Sequence, residues 1–112
     1  MLQTEINVDK ELLTKEVHQF ADEAKKCIEL YAKKNHDYGN SFVKGCDTIG
    51  APYALGRIYD KTNRLINLST SATEVKDESI EDTLRDLACY SLMYLVYIRN
   101  KKVASIPDVD FE

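Results

Sequence analysis

Apolar residues recur every three or four positions along three long stretches, and this period restricts the chain to helical folds more than any other feature does. At 3.6 residues per turn, residues so spaced fall on one side of an α-helix. The stretches predict helices over about 9–35, 52–69 and 79–102. Only two prolines and four glycines occur in 112 residues, which also favours helix over sheet. We therefore predict an all-α fold, with the three helices in an antiparallel bundle.

The length and the composition predict a single domain over residues 1–112. Apolar residues make up 44% of the chain, which is enough to form a core. Residues 1–8 and 104–112 lie outside the predicted helices, and we expect them to be flexible arms. The first helix is expected to begin at Asp9, a favourable N-cap residue. Its apolar residues, from Leu13 to Tyr31, predict a single buried face.

The third predicted helix is apolar almost all round. Its main stripe is made up of Ile80, Leu84, Leu87, Ser91, Tyr94, Leu95 and Ile98. Cys89, Met93 and Tyr97 lie on nearly the opposite side, so this helix must be buried on more than one side. Because two other helices can hardly surround it, we predict that a second subunit completes the bundle through this helix. The expected assembly is a homodimer or a higher oligomer.

The charge and the cysteines indicate the kind of protein and its compartment. A net charge of −4 argues against a general duplex-DNA binder, although a local basic stripe leaves nucleic acid open as a partner. The three cysteines are widely spaced, which is typical of reduced thiols in a cytosolic protein. The N-terminus lacks the features of a signal peptide, and no stretch approaches the roughly 20 apolar residues that cross a bilayer. We expect a cytoplasmic protein with no membrane partner.

The segment Lys33–Ser41 carries more polar chemistry than a turn requires. It opens a stretch, 36–50, that has no sustained period and is predicted to be an irregular loop. One interpretation is a helix C-terminus whose lysines complement the helix dipole. The other, which we favour, is a ligand-contacting loop in which Tyr38 stacks on a base. The remaining candidate ligand contacts in this segment are Lys34, Asn35, Asp37 and Asn40.

Arg57, Lys61 and Arg64 form a basic stripe on the second predicted helix, because steps of four and three place them on one face. They are either a solvated face or a phosphate-binding face, since bases on adjacent turns can contact successive phosphate oxygens.

Asp82 and Asp86 lie one turn apart on the third predicted helix, in line with Met93 and Tyr97. Three interpretations stay open. They are favourable charges near the helix N-terminus, or salt-bridge partners of the basic stripe, or ligands of Mg²⁺, the candidate cofactor. A Mg²⁺ site would need further oxygen ligands, for which Glu16, Glu23 and Asp37 are the candidates.

Three blocks of the sequence, 34–42, 57–65 and 75–90, resemble in order and spacing the nucleotide modification-associated domain family, first type, which is common in bacteriophages and prophages. The first block reads KNHDYGNSF, and the third contains Asp82-Thr83 and Asp86-Leu87 followed by Tyr90. The resemblance covers roughly residues 20–100. It implies a role in phage nucleotide or DNA modification, in the cytoplasm of a host bacterium.

The chain is also loosely similar to the MazG-like all-α nucleoside triphosphate pyrophosphohydrolases, which are helical, oligomeric and Mg²⁺-dependent. Those enzymes carry Glu-x-x-Glu on one helix and Glu-x-x-Asp on another. Here Asp82 and Asp86 are four residues apart, and Glu16 and Glu23 are seven apart. This departure argues against hydrolysis and leaves nucleotide binding open.

The sequence thus predicts a protein that binds a nucleotide or a nucleotide-like phosphate ligand. Three alternatives are kept. The first is an enzyme that cleaves nucleoside triphosphates with Mg²⁺. The second is a protein that sequesters a cyclic or modified nucleotide used as an immune signal. The third is a protein-interaction module that binds no nucleotide.

Overall fold

A computed structural model describes residues 2, 4–38, 40–70 and 79–103, apart from the side chains of Asp37, Tyr38 and Val103. Within these residues there is a 3₁₀ turn, Lys10–Leu12, there are four α-helices, and there is no strand. The helices are α1 (Lys15–Tyr38), α2 (Ser41–Ile49), α3 (Ala51–Thr70) and α4 (Ile80–Val103). The all-α prediction is confirmed, but four helices are present where three were predicted. The predicted arm 104–112 lies outside the described residues.

The start of the first helix was predicted too early. Asp9 precedes only the 3₁₀ turn, and its side chain makes no capping hydrogen bond. The α-helix begins at Lys15, where the Oγ1 of Thr14 accepts a hydrogen bond of 3.2 Å from the backbone N–H of Val17. A threonine hydroxyl that satisfies a free N–H in the first turn is a favourable N-cap. α1 also continues to Tyr38, three residues beyond its predicted end.

The prediction of an irregular loop over 36–50 was wrong, because most of this segment forms α2. Phe42 and Cys46 are four residues apart and fall on one side of the helix, where both are buried. A nine-residue helix offers only this one repeat, which is too short for the period to stand out in the sequence.

Two short joints fix the position of α2. Asn40 connects it to α1 in the left-handed conformation (φ 65°, ψ 33°), which asparagine tolerates better than most residues. Gly50 ends it with φ 93°, and its N–H donates a 2.8 Å hydrogen bond to the carbonyl of Cys46. Glycine adopts positive φ without a steric penalty, so α3 can begin at the next residue.

α3 and α4 form an antiparallel pair, and their observed bounds lie within one residue of the predicted ones. Ser79 caps α4: its Oγ accepts a 3.1 Å hydrogen bond from the N–H of Asp82, three residues along the chain. Near the N-terminus of α4, Asp86 contacts Lys61 of α3. Ala54, which precedes Lys61, packs in one apolar cluster with Met93, which follows Asp86. The two helices therefore run in opposite directions.

The core is small and lies where α2, α3 and α4 meet. Phe42, Cys46 and Ala54 form its centre. Around them pack the half-buried side chains of Tyr53, Tyr90, Met93, Tyr94 and Tyr97. Of the two apolar sides of α4, the one with Cys89, Met93 and Tyr97 thus faces inward. On the main stripe, Ile80, Leu84 and Leu95 are 43%, 50% and 62% exposed.

The expectation of a buried face on the first helix was also wrong for a single chain. Of the apolar stripe on α1 only Cys27 is buried, whereas Phe20 is 78% exposed. α1 contacts α4 through a few side chains, and Cys27 lies against Cys89 there. A completing subunit remains a prediction. Among the described residues, no helix combines the length and the hydrophobicity that crossing a membrane requires.

Candidate ligand-binding clefts

A cleft of about 290 Å³ opens where all four helices approach each other. α1 contributes Tyr31, Lys34 and Asn35, and α3 contributes Tyr53 and Arg57. Its remaining walls come from α2 and α4, including Phe42, Asp86, Cys89 and Tyr90. We call it the aromatic cleft, because four of these side chains are aromatic.

The aromatic wall is held in place by ring contacts. The ring centroid of Phe42 lies 5.8 Å from that of Tyr53, in an edge-on arrangement, and 6.0 Å from that of Tyr90. Tyr53 lies directly over Gly45 of α2, where an added Cβ would come within 3.0 Å of three carbons of the Tyr53 ring. Gly45 therefore makes room for one wall of the cleft, although glycine within a helix costs about 1 kcal/mol relative to alanine.

Asp86 joins three helices at the edge of this cleft. Its Oδ2 lies 3.1 Å from the Nζ of Lys61 on α3, and its Oδ1 lies 3.4 Å from the Nζ of Lys34 on α1. The Asp86 side chain is only 17% exposed, so its ion pairs are better shielded than surface pairs are. The Asp86 carboxylate thus holds two ammonium groups beside the cleft.

A second cleft of about 280 Å³ adjoins the first, and we call it the basic cleft. It is lined by Arg57, Asp60, Lys61, Arg64 and Tyr90. Arg57 and Tyr90 line both clefts. The guanidinium of Arg57 also lies 5.4 Å from the ring centroid of Tyr53, within the range of a cation–π contact. The basic stripe therefore borders a concave surface that continues into the aromatic cleft.

The clefts bring together most, but not all, of the side chains predicted from the sequence to form a site. Lys34, Asn35, Arg57, Lys61, Arg64 and Asp86 line one cleft or both. Asn40 lines neither and serves the α1–α2 joint instead. The side chains of Asp37 and Tyr38 lie outside the described part of the structure, so their predicted ligand contacts stay predictions.

Asp82, the other predicted metal ligand, does not line either cleft. Its side chain is 62% exposed and pairs with Arg85 at 3.3 Å, and Arg85 also pairs with Glu23 of α1 at 3.3 Å. Hydrogen bonds from Lys26 and Arg85 lower the pKa of Glu23. The described residues bring together no group of three or more His, Cys, Asp or Glu side chains that could hold a metal ion. The Mg²⁺ site remains a prediction.

Cys89, the cysteine that lines the aromatic cleft, is not an activated nucleophile. Cys27, Cys46 and Cys89 are free thiols, and all three are buried. Burial and the neighbouring Cys27 raise the pKa of Cys89 to about 11, so this thiol stays protonated at neutral pH. The site can bind through its rings and its charges, whereas thiolate chemistry is disfavoured.

The sequence reasoning missed Phe42, Tyr53 and Tyr90 as lining residues. They come from three helices, and one of these helices was not predicted. The spacing of Phe42, Gly45 and Cys46 is a signal that could have identified α2 and with it Phe42, whereas Tyr53 and Tyr90 carry no such signal.

Comparison with known proteins gives one match. A family model described as nucleotide modification associated domain 1 matches residues 34–98, which is more than half of the chain. The matched range contains both clefts, apart from Leu30 and Tyr31 of the aromatic cleft. The resemblance to this family is confirmed, whereas the MazG-like similarity is not shown. No curated protein and no solved structure gives a match.

Proposed function

The chain belongs to the nucleotide modification associated domain 1 family, and we propose that it binds a nucleotide or a nucleotide-like phosphate ligand across the aromatic and basic clefts. The observation that carries this proposal is the continuity of the two clefts, which share Arg57 and Tyr90. A nucleotide joins a flat apolar ring to a chain of anionic groups, and the two clefts offer the matching surfaces side by side.

The aromatic cleft suits the base. Tyr31, Tyr53 and Tyr90 expose rings there, and stacking of a base on an aromatic ring contributes about 1–3 kcal/mol. The amide of Asn35 and the carboxylate of Asp86 supply hydrogen-bonding groups for the edge of a base. In the proposal, Tyr38 adds a further ring and Asp37 adds a hydrogen bond.

The basic cleft suits the phosphates. Arg57, Lys61 and Arg64 bring three positive charges against the single negative charge of Asp60. Arginine forms paired hydrogen bonds with phosphate oxygens, and lysine supplies a compact positive charge. Asp86 pairs with the ammonium groups of Lys34 and Lys61, which line the aromatic and the basic cleft respectively. Arg57 would contact both parts of the ligand, since it lines both clefts.

The test is a binding titration of the full chain with nucleoside mono- and triphosphates and with inorganic phosphate, with and without Mg²⁺. A nucleotide that binds only the folded state raises the Tm. Arg57→Ala should weaken nucleotide binding by about 10-fold or more, since it removes charge-assisted hydrogen bonds. Arg99→Ala is the matched control, because Arg99 is an exposed arginine of α4 that lines neither cleft.

Two results would overturn the proposal. One is an unchanged Tm with every nucleotide, which would favour a protein-interaction module. The other is equal weakening by the two arginine variants, which would indicate binding to general positive charge. Release of pyrophosphate from a bound triphosphate would support the hydrolase alternative, and a nucleotide retained through purification would support the sequestering alternative. A phage origin and a location in the host cytoplasm belong to the same proposal.

A further inference from the structure

α3 and α4 share an apolar surface on the side away from the clefts, and we call it the outward face. On α3 it consists of Leu55, Tyr59 and Ile66, and on α4 it consists of Ile80, Leu84 and Leu95; these six side chains are between 43% and 67% exposed. At about 100° per residue they lie roughly opposite to the cleft-lining side chains of their own helices. Tyr53 and Arg57 line the clefts from α3, and Tyr90 and Met93 do so from α4.

The six side chains form one continuous surface. Because α3 and α4 are antiparallel and Lys61 lies beside Asp86, residues near Leu55 are level with those near Leu95, and residues near Ile66 are level with those near Leu84. At 1.5 Å per residue the stripes are about 17 Å and 22 Å long, on two helices that are each about 10 Å wide. The surface thus measures roughly 400 Å² in projection, which is the size of the largest apolar patch on a typical monomer, and such patches are often functional.

The outward face carries no charged side chain. Thr62 lies between the apolar residues of the α3 stripe, and Ser91 lies between those of the α4 stripe. Both side chains are small and uncharged. A surface without charge offers nothing to select an acidic or a basic partner, whereas it is compatible with a copy of itself. Two antiparallel helices that present one flat apolar side can also pack on an identical pair as a four-helix bundle.

The small core gives a second reason for a copy of the same chain. Among the apolar residues in the described part of each chain, only Cys27, Phe42, Cys46, Ala54 and Cys89 are buried. Every copy of the chain exposes the same outward face, so a second copy with a matching apolar surface is always present at the same concentration. We infer that two copies of this chain associate through their outward faces, as an isologous dimer with its clefts on opposite sides.

The test is the mass of the full chain in solution, measured by light scattering after size-exclusion chromatography, together with sedimentation over a dilution series. We expect twice the chain mass of 12.8 kDa. Ser91→Arg should raise the dissociation constant by at least about 100-fold, because it places an unpaired charge in an apolar interface. Ser91 is exposed in the single chain, so this substitution removes no packing within the chain.

Two variants serve as controls for the position of the interface. Asn67→Arg adds the same side chain to α3 at an exposed position about 100° around the helix from the centre of the outward face, and Phe20→Lys places a charge on the exposed apolar stripe of α1. Both should stay dimeric. If Ser91→Arg loses helical circular dichroism, Thr62→Arg on α3 replaces it as the test.

The inference is overturned if the unmodified chain is monomeric, or if Phe20→Lys separates the subunits and Ser91→Arg does not. It does not depend on the proposed ligand. Nucleotide binding that survives in a monomeric Ser91→Arg chain would support it further, because the clefts face away from the interface.

Discussion

The long helix α1 contributes fewer buried residues to the core than the short helix α2 does. α1 has 24 residues and a clear helical period, yet the only buried residue among its described side chains is Cys27. α2 has nine residues and one helical repeat, yet Phe42 and Cys46 form most of the centre of the core. A strong period shows that a helix can bury a face, but a single chain does not have to supply the surface that covers it.

The two helices are also held by different interactions. α1 meets α4 through the Lys34–Asp86 and Glu23–Arg85 ion pairs and through the Cys89 thiol, whose Sγ lies 3.7 Å from the carbonyl oxygen of Cys27. Ion pairs with exposed members contribute little to stability. α2 is held by the packing of Phe42 and by the close approach of Tyr53 to Gly45. Stability should therefore be sensitive to substitutions in α2 and tolerant of those in α1.

The largest effect is expected from truncating equivalent side chains in the two helices. Phe42→Ala should lower the free energy of unfolding by about 3–5 kcal/mol, because it leaves a cavity in the core. Phe20→Ala should change it by less than about 0.5 kcal/mol, because Phe20 is largely exposed. Urea denaturation followed by circular dichroism measures both. Similar losses in the two variants would show that α1 is as deeply packed as α2.

A smaller effect is expected from adding a methyl group at two helical glycines. Gly45→Ala should lower the free energy of unfolding by about 1–3 kcal/mol, because the new Cβ meets the Tyr53 ring and overpacks the α2–α3 contact. It should also weaken the proposed nucleotide binding, since Tyr53 lines the aromatic cleft.

Gly56→Ala is the matched control on α3, because among the described residues no atom beyond its chain neighbours and the adjacent backbone of α3 lies within 4 Å of its added Cβ. It should raise stability by up to about 1 kcal/mol through helix propensity alone. Thermal unfolding measures both glycine variants. A stabilised Gly45→Ala chain would mean that Tyr53 can move aside at little cost, and the proposed role of Gly45 would then fail.

The smallest effect concerns the polar contact between the end of α2 and α4. The hydroxyl of Tyr97 donates a 2.7 Å hydrogen bond to Asp47, and Lys101 lies 3.0 Å from the same oxygen. These contacts lower the pKa of Asp47 below its ordinary value of 3.8. The resulting stabilisation is present above pH 3.8 and is lost as the pH falls through the lower value of the folded state.

Asp47→Asn should therefore lower the urea midpoint slightly at neutral pH, and the difference from the unmodified chain should vanish in acid. Tyr97→Phe should reduce the same pH dependence, because the Tyr97 hydroxyl is the main cause of the shift. A difference that stays constant from neutral pH to acid would show that Asp47 acts through packing and not through its charge.

Much of the fold could be predicted from the sequence, for physical reasons that particular residues make clear. α3 and α4 were placed within one residue, because long periods and the Ser79 cap signal helix bounds locally. The start of α1 was missed because Asp9 and Thr14 are both acceptable N-caps, and only the structure shows that the Thr14 hydroxyl is used.

The clefts were only partly predictable. The basic stripe could be predicted, because Arg57, Lys61 and Arg64 lie at helical spacing within one helix. All three line the basic cleft. The aromatic wall depends on how three helices meet, and no local pattern links Phe42 to Tyr53 and Tyr90. The ion pair between Lys34 and Asp86 spans 52 positions of the sequence, a distance over which spacing carries no information.

The single-residue joint at Gly50 limits which changes in length this part of the chain can accept. One residue inserted between Phe42 and Cys46 would rotate one side chain by about 100° relative to the other and leave them about 140° apart around the helix, so both could not enter the core. One residue added beside Gly50 would disturb the φ of 93° that lets α3 start at once. Between Asn40 and Ala51, exposed positions other than Asp47 can therefore exchange their side chains freely, whereas insertions and deletions should be excluded.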